Sequence, residues 1–125
     1  MMRSLIGMAL VALVSSTTAV RAEDQTWTGT LIDTRCYSID MKNNAGNDHL
    51  LQSRAIANCA AICAKMGIPA ALLVNGKVLT LAAPAPSFAD YMAKTAVVTG
   101  SIQGDLILPT KVVVDGKEIK IMTMM

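Results

Sequence analysis

The chain has 125 residues, 53% of them apolar and 16% charged, with 11 Lys and Arg against 9 Asp and Glu. That length suits a single domain. A formal charge of +2, with one Trp, two Tyr and one Phe, excludes a disordered acidic or basic tail and leaves no electrostatic case for binding DNA or RNA.

Met1-Met2-Arg3-Ser4 is a short positive start, Leu5 to Val14 is an apolar run, and Ser15 to Ala22 is small and polar, with Val20-Arg21-Ala22 as a cleavage site. This pattern predicts a secretory signal peptide over residues 1–22. The run is about half the ~20 apolar residues that a spanning helix needs, so stable membrane insertion is not expected. Cleavage removes Arg3 and Arg21 from the 11 basic side chains, so residues 23–125 carry nine basic against nine acidic. Export to the periplasm or beyond places Cys36, Cys59 and Cys63 in an oxidising compartment, where thiols pair unless something else occupies them. Three is an odd number, so at least one thiol needs another explanation.

Trp27 to Asp33 is rich in β-branched residues and reads as the first strand. Residues 34–49 are polar and turn-prone, with Asn43, Asn44, Gly46, Asn47 and Asp48 setting no periodicity, so they read as a long loop. Asn47 or Asp48 then caps a helix over Leu50 to Met66, stopped by Gly67 and Pro69. Its stretch from Ala55 to Ala64 is apolar on nearly every side, which predicts a helix that is buried or packed on two surfaces. Ala70 to Val74, Asn75-Gly76 and Lys77 to Leu81 form a hairpin, because Asn-Gly supplies the two positive-φ residues of a primed turn. Pro84 to Ser87 breaks the sheet, with Ser87 capping a short helix through Lys94. Ala96 to Ile102 is a strand that turns through Gln103-Gly104-Asp105 into Leu106 to Leu108, and Lys111 to Val114 pairs with Lys117 to Thr123 across Asp115-Gly116. The order predicts a β-rich α+β domain over residues 23–125: a small OB-like barrel or a curled antiparallel sheet, with a cysteine-bearing helix and a second short helix.

On a helix, Cys59 and Cys63 project from one face, one turn apart. Cys36 and His49 stand at the two ends of the long loop, whose closure can bring both toward that face. Three thiolates and an imidazole suit zinc or, with fewer ligands, copper(I). The alternative is a disulfide from Cys36 to Cys59 or Cys63, closing about 23 to 27 residues for about 3 kcal/mol, with the third thiol buried as a small hydrophobe. Thiol-redox chemistry is a third reading, but it wants its reactive cysteine at a helix N-terminus, whereas the predicted helix puts Cys59 in its middle. In the last strand Met122 and Met124 share one face with Glu118 and Lys120, offering soft thioethers as outside candidates. No paired carboxylates, P-loop or dinucleotide fingerprint appears, so enzymatic chemistry has little support.

The segments W-x-G-x-L-x-D-x-x-C at Trp27 to Cys36 and C-A-x-x-C-A-K-x-G-x-P at Cys59 to Pro69, with the apolar hairpin and the Val97 to Gly100 strand, resemble a group of small exported bacterial proteins. The resemblance implies a secreted domain built around its cysteines and carries no activity with it. In residue type, Trp27 with Met122 and Met124 is similar to the sites of small periplasmic copper chaperones built on OB barrels. The expected function is a binding module for a soft metal ion, zinc or copper(I), through Cys36, Cys59, Cys63 and His49. The competing expectation is a disulfide-stapled module that docks an envelope protein.

Overall fold

A computed structural model describes residues 24–122; the predicted signal peptide, Thr123 and Met124 lie outside them. The long strands are β1 (Gln25–Asp33), β4 (Ala70–Val74), β5 (Lys77–Leu81), β6 (Thr95–Gln103) and β7 (Leu106–Val114). Between β1 and β4 lie α1 (Thr34–Ile39), a hairpin of β2 (His49–Leu51) and β3 (Arg54–Ile56), and α2 (Cys59–Lys65). A 3₁₀ helix (Ala85–Tyr91) joins β5 to β6, and a short β8 (Lys117–Glu118) follows β7.

The strand order is β5-β4-β1-β6-β7-β8, and β5 also pairs with β7. The neighbours are antiparallel except β5 and β7, which run parallel with Thr80 opposite Leu106 and Leu81 opposite Ile107. Five strands therefore close into a ring, an OB-like curled sheet with its helical connection before the fourth long strand. Closure demands strong curl, and two glycines provide it. A Cβ on Gly29 would meet the Leu73 carbonyl, and one on Gly100 would meet the Leu108 carbonyl. Gly100 also sits where the β6–β7 register shifts, a bulge that bends the sheet.

Alternation supplies the core. Ala96, Val98 and Gly100 of β6 point inward, while Thr95, Val97 and Thr99 point away or lie at the rim. Leu31, Leu72, Leu79, Leu81, Ile107, Val112 and Val114 join them around Phe88, which the 3₁₀ helix inserts into the ring. A smaller cluster of Ile32, Tyr37 and Ala71 lies across β1.

The Asn75-Gly76 hairpin forms as predicted, with Val74 opposite Lys77. Four expectations are corrected. The segment 34–49 is not a loop throughout, because the Asp33 side chain accepts from the Arg35 amide at 2.9 Å and starts α1. Residues 50–58 are not helical: Gln52 and Ser53 both take positive φ, 51° and 65°, and turn β2 back onto β3. Asn58, at φ 54° and ψ 27°, is left-handed and holds the start of α2 back to Cys59. Its amide is accepted by Asp48 at 2.8 Å. The predicted Ser87 cap does not form; the Ser87 hydroxyl instead accepts from the Met122 amide at 2.7 Å, and the 3₁₀ helix ends at Tyr91. Finally, β7 runs unbroken through Pro109, and β8 stops at Glu118, although Ile119 still reaches the core and its amide donates to Val112 at 2.9 Å.

The end of α2 follows expectation. Gly67 at φ 87° lets its own amide donate to Ala64 and the next one, of Ile68, to Cys63, which closes the last turn. Within α2, Ala60 and Ala64 belong to the main core while Cys59 and Cys63 face a separate pocket, so the helix is buried on two faces and exposes Ile62.

Candidate metal centre

The pocket is assembled from three segments of the insertion between β1 and β4. The first is the β1–α1 junction, where Asp33 serves as the cap and Cys36 follows one turn later. The second is β2, which opens on His49. The third is α2, which begins at Cys59 and presents Cys63 one turn on. The N-terminus of α2 is held to the loop before β2: the Asn47 carbonyl accepts from the Ala60 amide at 3.1 Å and the Asn47 side chain from the Ala61 amide at 2.9 Å. Asn47 thus caps the helix, as its residue type suggests, but across 14 positions rather than as the adjacent residue.

All three cysteines are free and buried. The sulfurs of Cys36 and Cys59 are 3.5 Å apart, beyond the ~2.05 Å of a disulfide bond. The ligand atoms of Cys36, His49 and Cys59 all lie within 4.8 Å of one another, and so do those of Asp33, Cys36 and Cys63. The three cysteines and His49 are therefore close enough to hold a metal ion. Leu51 and Ile68 pack over the sulfurs.

Two polar atoms in this pocket have no hydrogen-bond partner, His49 Nδ1 and Asp33 Oδ2. Their residues are 2% and 1% exposed. Leaving such a group unsatisfied costs about 1–3 kcal/mol, more when it is charged, so each orphan calls for a ligand. Burial, reinforced by the Asp33 carboxylate, holds the Cys36 thiol well above the ordinary thiol range and pushes Cys63 up to about 12. Both keep their protons at neutral pH unless a cation replaces them, which is the opposite of a redox-active thiolate.

The pocket unites the four residues expected from the sequence, though by a different route for His49. The chain brings it back through the β2–β3 hairpin rather than by closing a loop against a long helix. Cys59 stands at the first position of α2, not in its middle. Met122 is 52% exposed and fixed through its backbone to Ser87. Sequence reasoning left out Asp33 as a ligand. The signal was its three-residue spacing to Cys36, which puts both side chains on one side of a first helical turn once residues 34–39 are recognised as a helix. It also left out Asn43, which is 3% exposed and donates to the Cys36 carbonyl at 3.0 Å.

Comparison with protein-family models, with curated proteins and with solved structures finds no match to this chain.

Proposed function

We propose that this chain is an exported binding module that holds a soft metal ion, zinc or copper(I), through Cys36, His49, Cys59 and Cys63. The carrying observation is that the free buried thiols of Cys36 and Cys59 lie within 4.8 Å of a ring nitrogen of His49, whose Nδ1 has no partner, with Cys63 equally close to Cys36. Coordination would satisfy that nitrogen and would displace the thiol protons. The 3.5 Å separation of Cys36 and Cys59 is close to the ~3.8 Å edge of a tetrahedron with Zn–S bonds of about 2.3 Å. In the oxidising compartment to which residues 1–22 would direct the chain, a bound ion also explains how an odd number of thiols stays reduced.

A second reading draws on the same contact. Cys36 and Cys59 need a modest approach to bond, and the chain would then be a stapled module docking an envelope protein, with Cys63 as the buried remainder. Intact mass with thiol counting and elemental analysis on protein recovered from the periplasm separates the two. Three free thiols with stoichiometric metal are expected; a two-dalton loss, one free thiol and no metal would establish the staple. In the metal-loaded protein, Cys59→Ser and Cys36→Ser should each weaken binding at least ~100-fold, since both remove a direct ligand. Unchanged affinity in both rejects the metal site.

A further inference from the structure

The pocket offers five donors, not four, and they fall into two sets. One is Cys36, His49 and Cys59; the other is Asp33, Cys36 and Cys63. Cys36 is the only member of both, and the unpartnered atoms divide between them, His49 Nδ1 in the first set and Asp33 Oδ2 in the second. One orphan in each set is hard to reconcile with a single ion serving one of them.

Charge points the same way. A divalent ion on the thiolates of Cys36 and Cys59 and the neutral imidazole of His49 is compensated. That state still leaves the Asp33 carboxylate buried at 1% exposure with only the weak thiol donor of Cys63 beside it and no cation, and among the described residues the ion pairs are the exposed Lys77–Asp105 and Lys94–Asp115. A buried carboxylate without a cation is costly. A second divalent ion, compensated by Asp33 and the Cys63 thiolate and sharing the Cys36 sulfur, returns the pocket to neutrality. Two monovalent ions would leave two negative charges among side chains that are at most 7% exposed.

We propose that the pocket takes two zinc-class divalent ions bridged by the Cys36 sulfur, one completed by His49 and Cys59 and the other by Asp33 and Cys63. This inference rests on the metal-binding reading and goes beyond it in stoichiometry, in the added ligand and in the charge of the ion. Cys36 is the shared bridge, and Asp33 would have a double task, with Oδ1 capping α1 and Oδ2, which has no partner, free to bind the ion.

The test is native mass spectrometry of the reduced, metal-stripped protein titrated with zinc sulfate. Two zinc ions per chain are expected at saturation. Asp33→Asn keeps the capping oxygen and the volume and should lose one of the two, as should Cys63→Ser on the same side. His49→Gln should lose the other. Saturation of the unmutated protein at one zinc, or two zinc ions retained in both Asp33→Asn and Cys63→Ser, overturns the two-ion site while leaving the simpler metal reading standing. No zinc bound to the unmutated protein overturns both.

Discussion

Asn43 carries no ligand atom in either donor set, yet its amide joins two of the segments that supply them. Its Nδ2 donates to the Cys36 carbonyl at 3.0 Å and to the Leu50 carbonyl at 3.2 Å, and its Oδ1 accepts from the Leu50 amide at 2.9 Å. A side-chain amide can serve both a donor and an acceptor of an extended segment, so Asn43 acts on β2 as a neighbouring strand would. Removing it takes one of two donors from the buried Cys36 carbonyl, which keeps the Asp40 amide at 3.0 Å, and takes both side-chain partners from the Leu50 backbone. Asn43→Ala is expected to destabilise the fold by about 1–3 kcal/mol, read from urea unfolding midpoints. Asn43→Asp should be no better, because it loses the donor to Cys36 and places an acceptor against two carbonyls. An Asn43→Ala variant as stable as the unmutated protein would show that the β2 hairpin is held by other contacts.

The β2–β3 hairpin is the element that brings His49 to the sulfurs, and its turn is built from residues poorly suited to it. Gln52 and Ser53 both occupy the left-handed region, where a side chain other than Gly or Asn is disfavoured. Ser53→Gly should therefore stabilise the protein by about 0.5–1 kcal/mol, through relief of that turn. A raised urea midpoint with an unchanged denaturant slope is the expected result, and a lowered midpoint would mean that the Ser53 side chain has a role the turn does not need. Helix α2 has the complementary problem: seven residues are too few to be stable alone, and its order comes from Asn47 at one end, Gly67 at the other and burial of Ala60 and Ala64 in the main core.

At the scale of the molecule, a closed ring carries the pocket on a long insertion between two of its neighbouring strands, β1 and β4. The ring holds both ends of that insertion in place: Thr34 donates from its amide and its hydroxyl to the Pro69 carbonyl, at 3.3 and 2.7 Å. Packing the three thiols inside this frame makes the stability of the metal-stripped protein depend on pH. The folded state keeps the Cys63 proton up to about 12, whereas an ordinary thiol releases it near 9. Above pH 9 the unfolded chain therefore binds fewer protons than the folded one, and stability falls as pH rises from 9 toward 12; below 9 the contribution is fully present. Cys36 acts in the same direction. Urea midpoints of the reduced, metal-stripped protein should fall over the accessible part of that window, and Cys63→Ala should flatten the decline. An equally steep decline in Cys63→Ala would remove Cys63 as its source.

The parts of this protein that the sequence determines by itself are those set by local chemistry. Period-2 alternation in β6, the Asn75-Gly76 turn and the Gly67 stop after α2 each depend on residues within a few positions, and each stands where the pattern puts it. The three cysteines and His49 were legible as a ligand set for a similar reason, since their side chains have few other uses in such a chain. Only the tertiary structure decided the rest. Residues 50–58 have an unbroken helix-compatible pattern, and they are diverted into a hairpin because Asn43 offers Leu50, and Asp48 offers Asn58, backbone partners that a helix would not. Asp33 enters the pocket only because that diversion brings α2, and Cys63 with it, against the cap of α1. Such contacts join positions far apart in the chain, and their energy is set by which groups are left without water, a property of the packed fold rather than of any short stretch of sequence.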